Sequence, residues 1–228
     1  MLDLKMDLKN STIGLSKNRQ KFYLDFDDFS SVVPGFDLLK KMKEHFPNFK
    51  CTLFTVPLAM QYFLKHLPIE KLKEWGKLVG DIDWIEIAPH GFAHQRGEWM
   101  TKNKKKIMTT LKATENLFKF LGIDFVKIFK APYWELSKEA EEILKDEGYI
   151  LAVNRNKPQI YTDIPTYVFN WSIEDKIPEY PVIKGHGHMS GTKNGIERCY
   201  PNLLKIKQNS EFGFISEYLE NIWKTKRK

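Results

Sequence analysis

The chain lacks the features that mark several protein classes. Only Cys51 and Cys199 among its 228 residues are cysteines, and they form no Cys-x-x-Cys pair. That excludes a cysteine-ligated zinc ribbon, a thioredoxin-like redox motif and a disulfide scaffold, and two free thiols in an intracellular setting are expected. No apolar run approaches the roughly 20 residues of a membrane-spanning helix, so no membrane span is expected. The first twenty residues, MLDLKMDLKNSTIGLSKNRQ, interleave Asp and Lys with apolar positions. Without the continuous apolar stretch of an export signal they read as a leader over residues 1–20, and a cytoplasmic location follows. The net charge of +7 has no concentrated source apart from Lys102 to Lys106 and the KTKRK tail. No basic, aromatic-interleaved motif accompanies it, so no nucleic-acid partner is expected.

What the chain does have is a hydrophobic content of 42%, with 16 Phe, 9 Tyr and 6 Trp, enough for one sizeable core and few enough residues for a single domain over 21–228. Short strand-like runs alternate with amphipathic stretches. Strands are expected at Lys21–Phe26, Cys51–Val56, Trp84–Ala88, Phe125–Phe129, Tyr149–Val153, Tyr167–Phe169 and Pro181–Lys184. Helices are expected at Gly35–Phe46, Ala59–His66, Ile69–Val79, Thr101–Leu121, from the Ser137 cap to Glu147, and from about Glu211 to Trp223. Strands alternating with helices argue for a parallel sheet with crossover helices, and seven of them for an α/β fold of the distorted, TIM-like seven-stranded (β/α) barrel type.

The residues able to do chemistry cluster at the carboxyl ends of these strands. Asp27 and Asp28 end the first, Pro89-His90-Gly-Phe-Ala-His94 follows the third, Lys130-Ala-Pro132-Tyr133-Trp134 the fourth, Asn170-Trp171 the sixth, and Gly185-His186-Gly187-His188 the seventh. In a β/α barrel such loops converge on one mouth. Two imidazoles four apart can share an ion, and Asp28 supplies a third donor, a set suited to zinc, or to Fe²⁺, Co²⁺ or Mn²⁺. Neighbouring Asp27 and Asp28 reach one site only where the strand ends and its backbone twists. Asp25 lies on the same strand face as Asp27, a buried charge that needs a partner, with Lys130 one candidate. His45 and His66 fall on expected helices away from the loops, and nothing ties either cysteine to a base.

These segments resemble the polysaccharide deacetylases with a NodB-homology domain, carbohydrate esterase family 4, over about Phe22 to His188. Asp25-Phe-Asp27-Asp28 is similar to that family's T-F-D-D segment, implying Asp27 as general base and Asp28 as metal ligand. His90 and His94 match its His-x-x-x-His ligand pair. Lys130-Ala-Pro132-Tyr133 is similar to R-x-P-Y, implying an oxyanion role for the Tyr133 backbone N–H. Lys130, Pro132, Trp134 and Trp171 would then line the substrate, with Trp171 against the catalytic histidine. Val182-Ile-Lys-Gly-His186 matches the strand that carries the general acid, so His186 takes that role, with His188 as the alternative. The resemblance implies a metal-dependent hydrolase that cleaves a linear amide C–N bond, removing an acyl group, most simply N-acetyl, from a carbohydrate. The sequence departs from the pattern at Lys130 for Arg, Asn170 for an acid and Lys184 for Leu. Those departures motivate the alternative of an altered barrel that binds a carbohydrate or anionic ligand without turnover.

Overall fold

The computed structural model describes residues 19–31, 35–58, 68–154, 160–189, 191 and 193–226. In chain order the elements are β1 (Lys21–Phe29), α1 (Phe36–His45), β2 (Cys51–Thr55), α2 (Ile69–Gly80), β3 (Ile85–Pro89), α3 (Lys104–Phe120), β4 (Ile128–Lys130), α4 (Lys138–Asp146), β5 (Ile150–Val153), β6 (Thr166–Val168), β7 (Trp171–Ser172), β8 (Val182–His188), α5 (Ile196–Leu203), β9 (Glu211–Gly213) and α6 (Ile215–Lys226). All strand pairs are parallel.

The architecture is α/β, as expected, and among the described residues the strands form no closed ring of seven. Among the described residues nine strands make two sheets, one of six in the order β3-β2-β1-β8-β7 with β9 on β1, the other of three in the order β4-β5-β6. Between β3 and β4 the described residues show a lone crossing bond, Val126 N–H to the Ile87 carbonyl at 2.9 Å, rather than a ladder. The sheet therefore stays open there. The helix expected at Ala59–His66, and most of the leader over residues 1–20, lie outside the described residues.

β1 organises the molecule because its two faces differ. Phe22, Leu24 and Phe26 turn outward into an apolar core with Leu39 and Met42 of α1 and Ile196 and Leu203 of α5. Tyr23, Asp25 and Asp27 turn inward and are buried too. Strand period dictates this alternation, and the apolar face supplies the burial, roughly 1.5–3 kcal/mol for each large side chain, that offsets the polar inner row. β8 beside it reads Gly-His-Gly-His for the same reason. A Cβ at Gly185 would come within 2.6 Å of Leu24 and 2.7 Å of the Trp171 ring, and one at Gly187 within 2.3 Å of Ile173. Only hydrogen fits on the packed face, so the histidines face inward.

The helices follow their sequence signals closely. Ser137 Oγ accepts from the Ala140 N–H at the start of α4, and Asn103 Oδ1 from the Lys106 N–H at the start of α3. α3 buries Ile107, Leu111, Thr114 and Phe118, the stripe that its 3.6-residue period predicts. Among the described residues, no helix is long and apolar enough to cross a membrane.

Candidate functional site

Asp27 and Asp28 reach the same site because β1 is irregular between them. Phe26 pairs with Leu53 and Phe29 with Thr55 of β2, so two residues of β1 oppose one of β2. Asp28 takes the left-handed conformation, φ 65°, at this bulge. That is the backbone twist without which adjacent side chains would point to opposite faces.

The segment from His90 to His94 is a loop folded around one carboxylate. Glu98 accepts from the backbone N–H groups of Phe92 and Ala93, at 2.9 and 3.0 Å, and from the Trp99 indole at 2.9 Å. Gly91 has φ 71°, and a Cβ there would lie 2.1 Å from Glu98 Oε1 and 2.4 Å from Pro132 Cγ. The two imidazoles consequently sit 5.0 Å apart, centroid to centroid. His94 Nε2 lies 3.0 Å and His90 Nε2 3.5 Å from Asp28 Oδ1. His90 Nδ1 donates to the Lys130 carbonyl at 2.9 Å. A carbonyl can only accept, so Nδ1 carries the proton and Nε2 keeps its lone pair.

One carboxylate oxygen and two imidazole nitrogens, all within 4.8 Å of one another, make a donor set that fits a divalent cation. Asp27, His186 and His188 form a second cluster within the same limit. It is the poorer cation site, because the Lys130 ammonium lies 2.7 Å from Asp27 Oδ1 and 3.3 Å from His186 Nδ1.

Lys130, 1% exposed, ends β4 and spans the interior to β1. Its Nζ donates to Asp25 Oδ1 at 2.5 Å and Asp27 Oδ1 at 2.7 Å, over the Phe54 ring at 3.9 Å. Burial opposes ionisation of Asp27, but Lys130 and then His186, His90 and His188 outweigh it and hold the carboxyl down at about 2. Burial is likewise overcome at Asp28, where the adjoining His90 and His94 rings keep the carboxyl far below the usual carboxylate range. His90 is pulled down by burial and up by Asp27 and Asp28, with the upward pull winning. His188 is lowered, chiefly by burial.

Of the residues expected at the site, the structure brings together Asp27, Asp28, His90, His94, Lys130, His186 and His188. Asp27 Oδ2 lies 3.9 Å from His90 Nε2, 3.9 Å from His186 Nε2 and 4.0 Å from His188 Nε2. Pro132, Tyr133 and Trp134 form a 3₁₀ turn at the rim, where Tyr133 and Trp134 both have positive φ and Tyr133 is 51% exposed. Its ring packs on His94 at 4.8 Å.

Trp171 is not among them. It is buried on the outer face of the sheet, edge-on to Phe22 at 6.1 Å with its indole N–H on the Asp175 carbonyl. The aromatic groups against His186 are Phe169 at 4.7 Å and Trp134 at 5.6 Å. The reason is the alternation of β8, which puts Gly185, and with it Trp171, on the side away from His186. Asn170 clamps the β8 backbone, donating to the Val182 carbonyl and accepting from the Lys184 N–H. The carboxylate bonded to His186 is that of Asp25, Oδ1 to Nδ1 at 2.8 Å. Lys184 lies deeper, against the rings of Tyr167 and Tyr218. Glu98 and Phe169 escaped sequence reading as site residues because Glu98 belongs to no motif and Phe169 reads only as the apolar end of the sixth expected strand.

No protein-family model matches the sequence, and no curated protein matches it either. Solved structures do match in fold. Peptidoglycan deacetylase PdaC from Bacillus subtilis superposes with a TM-score of 0.61 at 14% identity, over 93% of this chain and 96% of that one. A family 4 carbohydrate esterase from Streptomyces lividans, solved with acetate, gives 0.56 at 15% identity over 87% and 94%. BA3943, a CE4 family pseudoenzyme from Bacillus anthracis, gives 0.56 at 18% identity over 89% and 66%. The chain has the NodB-like fold of carbohydrate esterase family 4.

Proposed function

We propose that the protein is a metal-dependent hydrolase that removes an acyl group, N-acetyl in the simplest case, from a carbohydrate. The observation that carries this is the placement of Asp28, His90 and His94 beside Asp27 and the Nε2 atom of His186, at one end of parallel strands. The two sheets are read as arcs of one distorted barrel. A divalent cation held by Asp28, His90 and His94, zinc by preference, would supply Lewis acidity to the acyl carbonyl and to water.

The chain's own groups do the proton work. Asp27, ionised at neutral pH, takes a proton from the attacking water through Oδ2 as the new C–O bond forms. The Tyr133 backbone N–H donates to the oxyanion that develops on the carbonyl. His186, as imidazolium, gives its Nε2 proton to the nitrogen as the C–N bond breaks, which releases carboxylate and amine. Tyr133 and Trp134 offer ring faces to a sugar at the rim.

A second reading, a barrel that binds a carbohydrate or anion without turnover, is favoured by one observation. A carboxyl held at about 2 by Lys130 is a weak proton acceptor, and general bases work best nearer the operating pH. Acetate release from N-acetylglucosamine oligomers, measured beside metal content, separates the two. Hydrolysis is expected in the wild type and a loss of about 10²- to 10⁴-fold in Asp27→Asn with metal retained. Bound metal with no release from any acylated sugar would leave only the binding reading.

A further inference from the structure

Asp25 is fully buried in β1, 0% exposed, where an ionised carboxylate is costly unless its surroundings compensate it. Both of its hydrogen bonds run into the site, from Lys130 Nζ and from His186 Nδ1, and both fall on Oδ1. Oδ2 has no partner among the described residues. Neutralising Lys130 does not by itself account for Asp25, because Asp27 already lies 2.7 Å from the same ammonium. The register of β1 on β8 pairs Asp25 with His186, and Asp27 with His188. Cross-strand neighbours on one face of a parallel sheet lie about 4.8 Å apart, so the carboxylate and the imidazole meet without any loop being ordered.

We propose that Asp25 is the positioning residue of His186: its carboxylate accepts a hydrogen bond from Nδ1–H, which fixes the ring's tautomer and orientation with Nε2 toward Asp27 and the leaving group. The assignment also separates the two candidate acids. His188 Nδ1 is buried with no partner among the described residues, so nothing there sets its tautomer. The catalytic consequence rests on the hydrolase reading above; the tautomer does not.

Long-range ¹H–¹⁵N spectra of the full chain test the tautomer directly, with the His186 signals assigned by their loss in His186→Gln. At a pH where the ring is neutral, the Nδ1–H form is expected in the wild type, and a mixture of tautomers in Asp25→Ala. A wild-type His186 in the Nε2–H form would overturn the proposal whether or not the variant folds.

Kinetics test the consequence. In Asp25→Ala, kcat on N-acetylated oligosaccharides is expected to fall about 10- to 100-fold, with KM and metal content little changed. Hydrolysis of 4-nitrophenyl acetate, whose leaving group needs no proton, should change by less than about threefold. An equal loss on both substrates would assign Asp25 to the fold or to Asp27 instead. A wild type inactive on both substrates would refute the hydrolase reading and leave the spectra to decide the positioning alone.

Discussion

Replacing Lys130 with Met should be the most destabilising single change within the site. The ammonium serves two buried carboxylates, at 2.5 and 2.7 Å. With an effective dielectric constant of about 20, each pair is worth roughly 6 kcal/mol of attraction before desolvation is counted. Removing one partner of a buried pair typically costs about 3–5 kcal/mol, because the charge left behind stays buried. Here two carboxylates are left beside each other, so the upper part of that range is expected. The loss should depend on pH in a definite sense. In the wild type the depressed Asp27 carboxyl contributes stability that is present above the unfolded value near 4 and fades as pH falls toward about 2. In the variant Asp27 stays buried but loses the ammonium that most favours its ionised form, so the penalty grows as pH rises from about 4. Both effects make the difference larger at pH 7.5 than at pH 4.5. Urea denaturation of metal-free protein, followed by far-ultraviolet circular dichroism, measures it. A loss under about 1 kcal/mol at pH 7.5, or one equal at the two pH values, would refute the reasoning.

Three further outcomes are expected. Lys184→Met should stabilise the protein at pH 7 by up to about 3 kcal/mol, because burial lowers the amine to about 8. Since the unfolded chain binds that proton more tightly, the gain should shrink as pH rises from about 8 to 10.5, which thermal melts across this range can check. Gly91→Ala should cost about 1–3 kcal/mol and weaken metal binding, since its φ of 71° and the contacts with Glu98 and Pro132 leave no room for a methyl; a melt unchanged from wild type would contradict this. Trp171→Phe should lower stability while leaving KM for any sugar substrate unchanged, because the ring lies on the outer face of the sheet.

Much of the site could be read from the sequence, for a physical reason. Its side chains hang on strand ends, where a period of two and a following loop leave a visible mark. The inner row Asp25, Asp27 and its pairing with Lys130 follow from strand alternation and the cost of a buried charge. The β1 bulge at Asp28 met the condition that adjacent aspartates require. Trp171 was misplaced because a motif position says nothing of which sheet face a side chain takes, whereas the glycines at 185 and 187 settle it. β9 is only Glu211–Gly213, and it was absorbed into an expected helix because a three-residue strand has no period to detect; parallel pairing with β1 makes it a strand. α5 was missed because Pro201 sits inside it, a residue that normally argues against a helix interior. Closure of the barrel depends on pairing of β3 with β4 and of β6 with β7, which strand counting cannot address.

The central claim is that Asp28, His90 and His94 hold the ion on which acyl hydrolysis depends. Stripping the protein with a chelator and following acetate release from N-acetylglucosamine oligomers during zinc addition tests it most directly. Activity should vanish on stripping, return to a plateau near one equivalent per chain, and stay absent in His90→Ala at the same zinc. Stripped wild-type protein that releases acetate as fast as the untreated protein would contradict the account.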